Sequence, residues 1–317
     1  MKRLTELLAA GCAAWDWFFF AAVDLRLCAI LRIGFAGLLL LDLVCQWPFL
    51  DFYYGEQGGL PYSVSREYIY PGSLSPLGLA PAGMAWLLAL YLLFGAQVVL
   101  LGLGLFTRVQ SVGVFLWLVS FQQRNQAIRD GEDVVFRMFA FLLIFLPLGA
   151  VWSLDARRRN GRADAALQPR PKWPLRLMQF QTCLILLASG IYKTQGVAWR
   201  KGDALYYVSR LEDAFDPFWA PAAVFDSLPL LRAAAWGIVL AELVIPFAIW
   251  IPRLRLPCLI VACSLHLAID YAMNMFLFQW IMMFGWLTFL EPKEVNWLLG
   301  LPAAARHWLG RGDSRSA

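Results

Sequence analysis

Apolar residues in this chain fall into long blocks parted by short polar stretches. A membrane-spanning helix needs about 20 consecutive apolar residues, with a range of roughly 17–25. The stretches 27–50, 80–106, 109–123, 134–153, 174–193, 230–251, 255–272 and 275–290 meet or approach that length. They predict an all-α fold, a polytopic integral membrane helical bundle with about eight transmembrane helices. Segment 109–123 is the shortest, and every later segment inverts if it fails to cross. Residues 4–20 read differently. Lys2 and Arg3 stand too close to Cys12 for a signal-peptide core. An amphipathic interfacial helix is expected there, with Trp15, Trp17 and Phe18 at headgroup level.

Composition agrees with a bilayer environment. Hydrophobic residues make up 60% of the chain and charged residues 15%, against about a quarter charged in soluble domains. The net charge of +5 does not imply nucleic acid, because its basic residues gather beside apolar runs, as in RRRNGR and RPK. With eight crossings, Arg108, the Arg157–Lys172 cluster, Arg253 with Arg255, and Lys293 onward share one side with Lys2 and Arg3. Asp51, Glu56, Asp130, Glu132, Asp213 and Asp216 fall on the other. Basic loops stay inside, so both termini are expected to be cytoplasmic. The domain reading is 1–24 as a cytoplasmic or interfacial N-terminal helix, 25–292 as one membrane domain, and 293–317 as a cytoplasmic tail. Six cysteines lack paired metal-ligand spacing, and neither a disulfide nor a metal site is expected.

Ionisable residues inside apolar runs are functional hypotheses by default, although those at helix ends often snorkel to water. Lys193 ends the run LILLASGIYK, and no neighbour in sequence neutralises it. It either snorkels or is held as an amine whose burial favours the neutral, basic form. The segment RNQAIRDGEDVVFR places Arg124, Glu132 and Asp133 at the start of the fourth span, with Arg137 a turn inside and Asp133 as its expected partner. His266 and Asp270, four apart on one helical face, suit an oriented imidazole or an interhelical hydrogen bond. Two ligands make no metal site, and the other histidine, His307, lies in the expected tail. Glu242, ahead of Pro246, requires a donor from a neighbouring helix. No hydrolase elbow, phosphate loop or dinucleotide fingerprint is present.

The ordered segments LRIGFAGLLLLDL, FYYGEQGGLP, RNQAIRDGEDVVFRMFAFLLIFLPLGAVWSLDA, FQTCLILLASGIYKTQGVAWRKGDALYYV and HLAIDYAMNMFLFQWIMMFGWLTFLEP resemble the HTTM (horizontally transferred transmembrane) domain, the family that contains vitamin K-dependent gamma-carboxylase. The resemblance runs from about residue 25 to 292 and carries several implications. Lys193 stands where the carboxylase has the lysine implicated in deprotonating the vitamin K hydroquinone. His266 matches a family histidine on the penultimate span. A functional histidine of the carboxylase is replaced here by Glu132 and Asp133, and Glu132 donates a hydrogen bond at neutral pH only if its pKa is raised. The large lumenal part that recognises carboxylase substrates does not follow, so gamma-carboxylation of protein glutamates is not the expected reaction. This compact form implies a bacterial cytoplasmic (inner) membrane protein, and menaquinol as the quinol if one is used. Some compact bacterial relatives act in maturing secreted peptide toxins, which implies a peptide-processing version of the same idea.

Two functions from different classes follow. The first is a carboxylase-like membrane enzyme, a lyase, acting at the outer face on a peptide or lipid-soluble substrate. Lys193 is its base, Glu132 and His266 join it in catalysis, and Arg124, Asp133, Tyr192, Trp199 and Asp270 bind substrate. The second is a non-catalytic carrier or maturation scaffold that hands a peptide or lipid to a soluble maturation partner. A channel or secondary transporter ranks below both, since paired broken helices and inverted repeats are not evident.

Overall fold

A computed structural model describes residues 2–65, 67, 77, 83–160, 170–211, 222–273 and 275–300. Asp213, Asp216, His307 and most of the expected tail lie outside the described residues. The principal helices are α1 (Lys2–Phe20), α2 (Leu25–Gln46), α3 (Met84–Leu103), α4 (Thr107–Arg124), α5 (Gly131–Leu143), α6 (Leu154–Asn160), α7 (Trp173–Gln195), α8 (Val197–Lys201), α9 (Ala204–Val208), α10 (Leu228–Ala248), α11 (Pro252–Ala272), α12 (Phe276–Leu287) and α13 (Pro292–Leu298). No β-strand occurs among the described residues.

Each expected span holds a helix, and the polytopic all-α bundle stands, while the count of eight is not reached by length and apolarity alone. By length and apolarity, five helices suffice to cross a membrane: Leu25–Tyr54 (α2 with its short helical extension), α3, α7, α10 and α11. The other three fall short for separate reasons. Helix α4 carries Gln110, Ser111, Ser120, Gln122 and Arg124 buried on one face, which lowers its apolarity, while Val109, Val112 and Leu116 are exposed on the other. The apolar run 134–153 is helical only to Leu143. Pro147 and Gly149 then break it, since proline has no amide to donate and favours turns. Helix α12 has 12 residues and is the hub, packing against α2, α5, α7 and α11.

The core follows from that hub. Phe35 of α2, Phe136 and Phe139 of α5, and Phe284 of α12 are almost fully buried in one cluster. A second cluster joins α7, α10, α11 and the end of α12 through Leu186, Ile249, Ala262 and Trp286. Gly285 lets the helices meet: a Cβ there would stand 2.8 Å from Thr182 Oγ1 on α7 and 2.9 Å from Phe139 on α5. Helix α1 is mostly exposed and is anchored at its end. Arg176 Nε donates to the Phe18 carbonyl at 3.1 Å, and its guanidinium lies 4.1 Å from the centre of the Phe18 ring.

At the basic end of the bundle, polar groups hold two turns together. Arg32, 1% exposed, donates to the carbonyls of Gly102, Leu148, Val151 and Trp152 at 3.2, 2.7, 3.4 and 2.5 Å. These acceptors lie at the end of α3 and in the turn after α5, where carbonyls lack helical donors. Phe106 and Trp152 adopt positive φ of 49° and 48°, conformations that persist only where surrounding bonds over-determine them. Asp155 supplies some of those bonds. It accepts from the Phe106 and Thr107 amides, both at 2.8 Å, and from the Thr107 hydroxyl at 2.5 Å, so it caps α4 from outside the helix. Burial alone would raise the pKa of Asp155, but these hydrogen bonds and the Arg159 charge outweigh burial and hold it below the ordinary value. Stability from a depressed carboxylate is present above its unfolded pKa, about 4, and is lost as pH falls through the folded value. Asp155→Asn is therefore expected to cost about 1 kcal/mol at neutral pH and to flatten the acid limb of a pH–stability curve in detergent. An unchanged acid limb would show that Asp155 does not supply it.

Candidate functional site

Lys193 lies two residues before the end of α7, and its neutralising partner is 49 residues away. Its Nζ donates to Glu242 Oε1 of α10 at 2.5 Å and to Ser189 Oγ at 2.8 Å. The Lys193 side chain is 20% exposed and that of Glu242 6%. The lysine is thus drawn sideways into an ion pair instead of extending to water. Two sequence features allow this. Gly190 brings the helices close, since a Cβ there would meet Glu242 Cβ and a Leu243 methyl at 3.1 Å. Pro246, inside α10, removes the amide that would bond the Glu242 carbonyl.

The segment after α7 covers the pair. Trp199 of α8 places its ring 5.1 Å from Lys193 Nζ, a cation–π distance. Gly202, at φ 80°, packs against Arg232 and Trp236 of α10, and Arg232 Nε donates to Asp203 Oδ1 at 2.8 Å. The motif GVAWRKGDALYYV therefore builds a short cap fastened to α10. Tyr192, expected beside Lys193, is 73% exposed and turned outward.

His266 and Asp270 each look across to α12 and not to one another. His266, 6% exposed, has Nδ1 2.7 Å from Gln279 Oε1. An amide oxygen accepts only, so Nδ1 carries the proton and Nε2 keeps its lone pair. Asp270 accepts from Trp280 Nε1 at 3.3 Å. The imidazole is thus oriented by an amide, and among the described residues no group of three His, Cys, Asp or Glu side chains could hold a metal. Lys193 lies within electrostatic reach of His266. Two buried acceptors, His266 Nε2 and Glu242 Oε2, meet no donor among the described residues.

The acidic start of α5 reaches this region through α12. Glu132 accepts from the Phe278 amide, and Phe278 directly precedes the glutamine that holds His266. A Cβ on Gly131 would meet the Phe278 ring at 3.1 Å. Asp130 and Asp133 form a capping box around the helix start. Burial first, then Asp130, Asp42 and Asp133, push Glu132 well above the usual carboxylate range. Asp133 and Arg137 meet through an intermediary. Gln122 donates to Asp133 Oδ1 at 3.3 Å and accepts from Arg137 Nη1 at 3.0 Å. Arg124 is buried and donates to the carbonyls of Gly55 and Leu60 at 2.6 and 3.2 Å, where it holds the turn of FYYGEQGGLP.

A polar group near this region escaped sequence reasoning. Asp42, 7% exposed on α2, accepts from Gln46 Nε2 at 2.7 Å, and Gln46 accepts from the Tyr54 hydroxyl at 2.8 Å. Gln122 and Asp133 line the far side of a void of about 10 Å³ beside these groups, room for one water. The signal was a lone acid in the apolar run LRIGFAGLLLLDL.

The family model described as HTTM domain matches residues 20–297. The chain belongs to the HTTM domain family. The match takes in every helix named above except α1, whose last residue it touches, and the last residue of α13. As an HTTM protein it is a multi-pass membrane protein in contact with the lipid bilayer. Comparison with curated proteins and with solved structures gives no match.

Proposed function

We propose that this HTTM protein is a gamma-carboxylase-like enzyme of a bacterial cytoplasmic membrane, with its site at the outer end of α7. Lys193, Glu242, His266 and Glu132 would act there on a peptide or lipid-soluble substrate. One observation carries the reading: two buried acceptors without donors among the described residues, Glu242 Oε2 and His266 Nε2, stand in the region of an amine already paired at 2.5 Å. An unsatisfied buried acceptor costs free energy in the resting protein, and a substrate hydroxyl, acid or amide would relieve that cost.

In this reading Lys193 rests paired with Glu242. Basic work requires the neutral amine, and the short contact gives its proton a destination on Glu242. His266 Nε2 accepts a second proton, and Glu132, protonated, donates to an oxygen on which charge develops. A quinol such as menaquinol, implied by the family resemblance, suits these residues in one respect: its hydroxyl protons would meet the two unpartnered acceptors. When bound, it would supply that acidic hydroxyl and two electrons.

The ion pair also supports a second reading, a carrier or maturation scaffold in which Lys193 and Glu242 simply neutralise each other. Mass spectrometry of peptides and lipids from cells carrying wild type, a deletion or Lys193→Arg separates the two, at matched membrane protein levels. Arginine keeps the pair but is never neutral. The enzyme reading expects one product to vanish in both the deletion and Lys193→Arg. A product retained in Lys193→Arg and lost in the deletion would leave the carrier.

A further inference from the structure

A second polar recess lies at the other end of α7. Lys193 follows Trp173 by twenty residues on this helix, roughly 30 Å of axial rise. The recess, a cavity of about 420 Å³, is lined by Arg108 at the start of α4, Arg159 of α6, and Arg170 and Trp173 at the start of α7. Phe145 and Pro147 from the turn after α5 also line it.

Its charge is not internally balanced. Among the described residues Asp155 is the one acid in the lining, and both of its oxygens already accept hydrogen bonds from Phe106 and Thr107. Arg159 spends one nitrogen on the Gly149 carbonyl at 3.0 Å. Neither the Arg108 nor the Arg170 side chain meets an acceptor among the described residues. Arg158 lies 5.2 Å over the Phe106 ring beside the recess and adds to the positive field. Three arginines around one recess suit an anion with several oxygens, because each guanidinium offers a planar fork of donors.

The walls name the source of that anion. Phe145 is exposed, and its ring lies 5.6 Å from that of Trp173, tilted by 48°. Ile144, Phe145 and Leu146 give one side an apolar wall. A soluble phosphate has no use for that wall, whereas a lipid sets its phosphate at the membrane surface and its chains along apolar protein. Basic recesses between membrane helices hold anionic headgroups by this division.

We infer that the recess between α4, α6 and the start of α7 is a binding site for the phosphate of an anionic phospholipid, held by Arg108, Arg159 and Arg170. The lipid bridges the turn after α5 to the start of α7, at the end of that helix opposite Lys193.

The test uses the full chain in nanodiscs of phosphatidylcholine with and without phosphatidylglycerol. Bound lipid is counted by native mass spectrometry after release into detergent. Wild type is expected to retain phosphatidylglycerol, and Arg108→Gln/Arg159→Gln/Arg170→Gln to retain it about tenfold less or worse. Arg108→Gln/Arg170→Gln, which removes no side-chain hydrogen bond among the described residues, is expected to lose an intermediate share. The control Arg3→Gln/Arg157→Gln/Arg253→Gln removes as much charge outside the recess and is expected to retain lipid as wild type does. Equal loss in that control would overturn the site in favour of diffuse surface attraction. Equal retention in the recess variants would overturn it outright. Inorganic phosphate alone, competing phosphatidylglycerol off at millimolar concentration, would overturn the lipid in favour of a free anion.

Discussion

Replacing Lys193 by methionine is expected to destabilise the folded protein by about 3 kcal/mol, and adding Glu242→Leu is expected to recover most of that loss. Breaking one side of a buried pair leaves an uncompensated charge and costs about 3–5 kcal/mol, whereas replacing both sides by apolar groups is often neutral. The low end applies because Lys193 keeps 20% of its surface. Denaturant unfolding in detergent of the wild type, both single variants and the double variant gives the coupling energy directly. Additive losses would mean that the contact does not contribute as a pair. The same four proteins also bear on function. If the double variant is stable and its product is absent, the pair is chemical; if stability and product return together, the pair is structural.

Replacing Arg32 is expected to do comparable damage without touching the candidate site. Arg32→Met strands four carbonyls around a buried cavity, and leaving one buried acceptor unsatisfied costs about 1–3 kcal/mol. A total loss of about 3 kcal/mol or more is expected, read as lost folded protein in detergent by fluorescence-detected size exclusion. Arg32→Lys should rescue only a minor part, because a point-like ammonium cannot span carbonyls from two separate turns. Full rescue by lysine would show that charge, and not the guanidinium's fork, holds the turns. Gly104 tightens the argument: at φ 73°, a Cβ there would stand 2.7 Å from Arg32 Nη1, so the turn and the arginine are fitted to each other.

Apolar runs announced where helices lie because burial in a bilayer demands length, and length is visible in one dimension. They did not announce which helices face lipid. Segment 109–123 and the buried glutamines and serines of α4 show why: a polar residue facing protein and one facing water look alike in sequence. The run 134–153 also concealed its break, since Pro147 sits amid apolar neighbours. At the candidate site the individual residues were legible but their partners were not. Lys193 and Glu242 each stood out as charges lacking company, yet only packing through Gly190 joins residues 49 positions apart. Spacing suggested Asp270 as the neighbour of His266, whereas antiparallel α11 and α12 give each its own partner, Gln279 and Trp280. Arg32 and Asp42 lay in a quoted motif and passed unremarked, because a helix that is apolar overall hides a single charge.

The shortness of α12 has a consequence for how a substrate arrives. Twelve residues rise roughly 18 Å, while the hydrocarbon layer is about 30 Å thick. The hub of the bundle therefore ends well before the bilayer does, and backbone beyond it at that depth has to be lined by protein or water. Gln279, which holds His266, is in the first turn of that short helix. Under the proposed function, entry to the site becomes a matter of travel within the greasy layer, and bilayer thickness sets how far a guest must sink. Shorter acyl chains bring the site nearer the aqueous boundary, and longer ones leave it deeper in the oil.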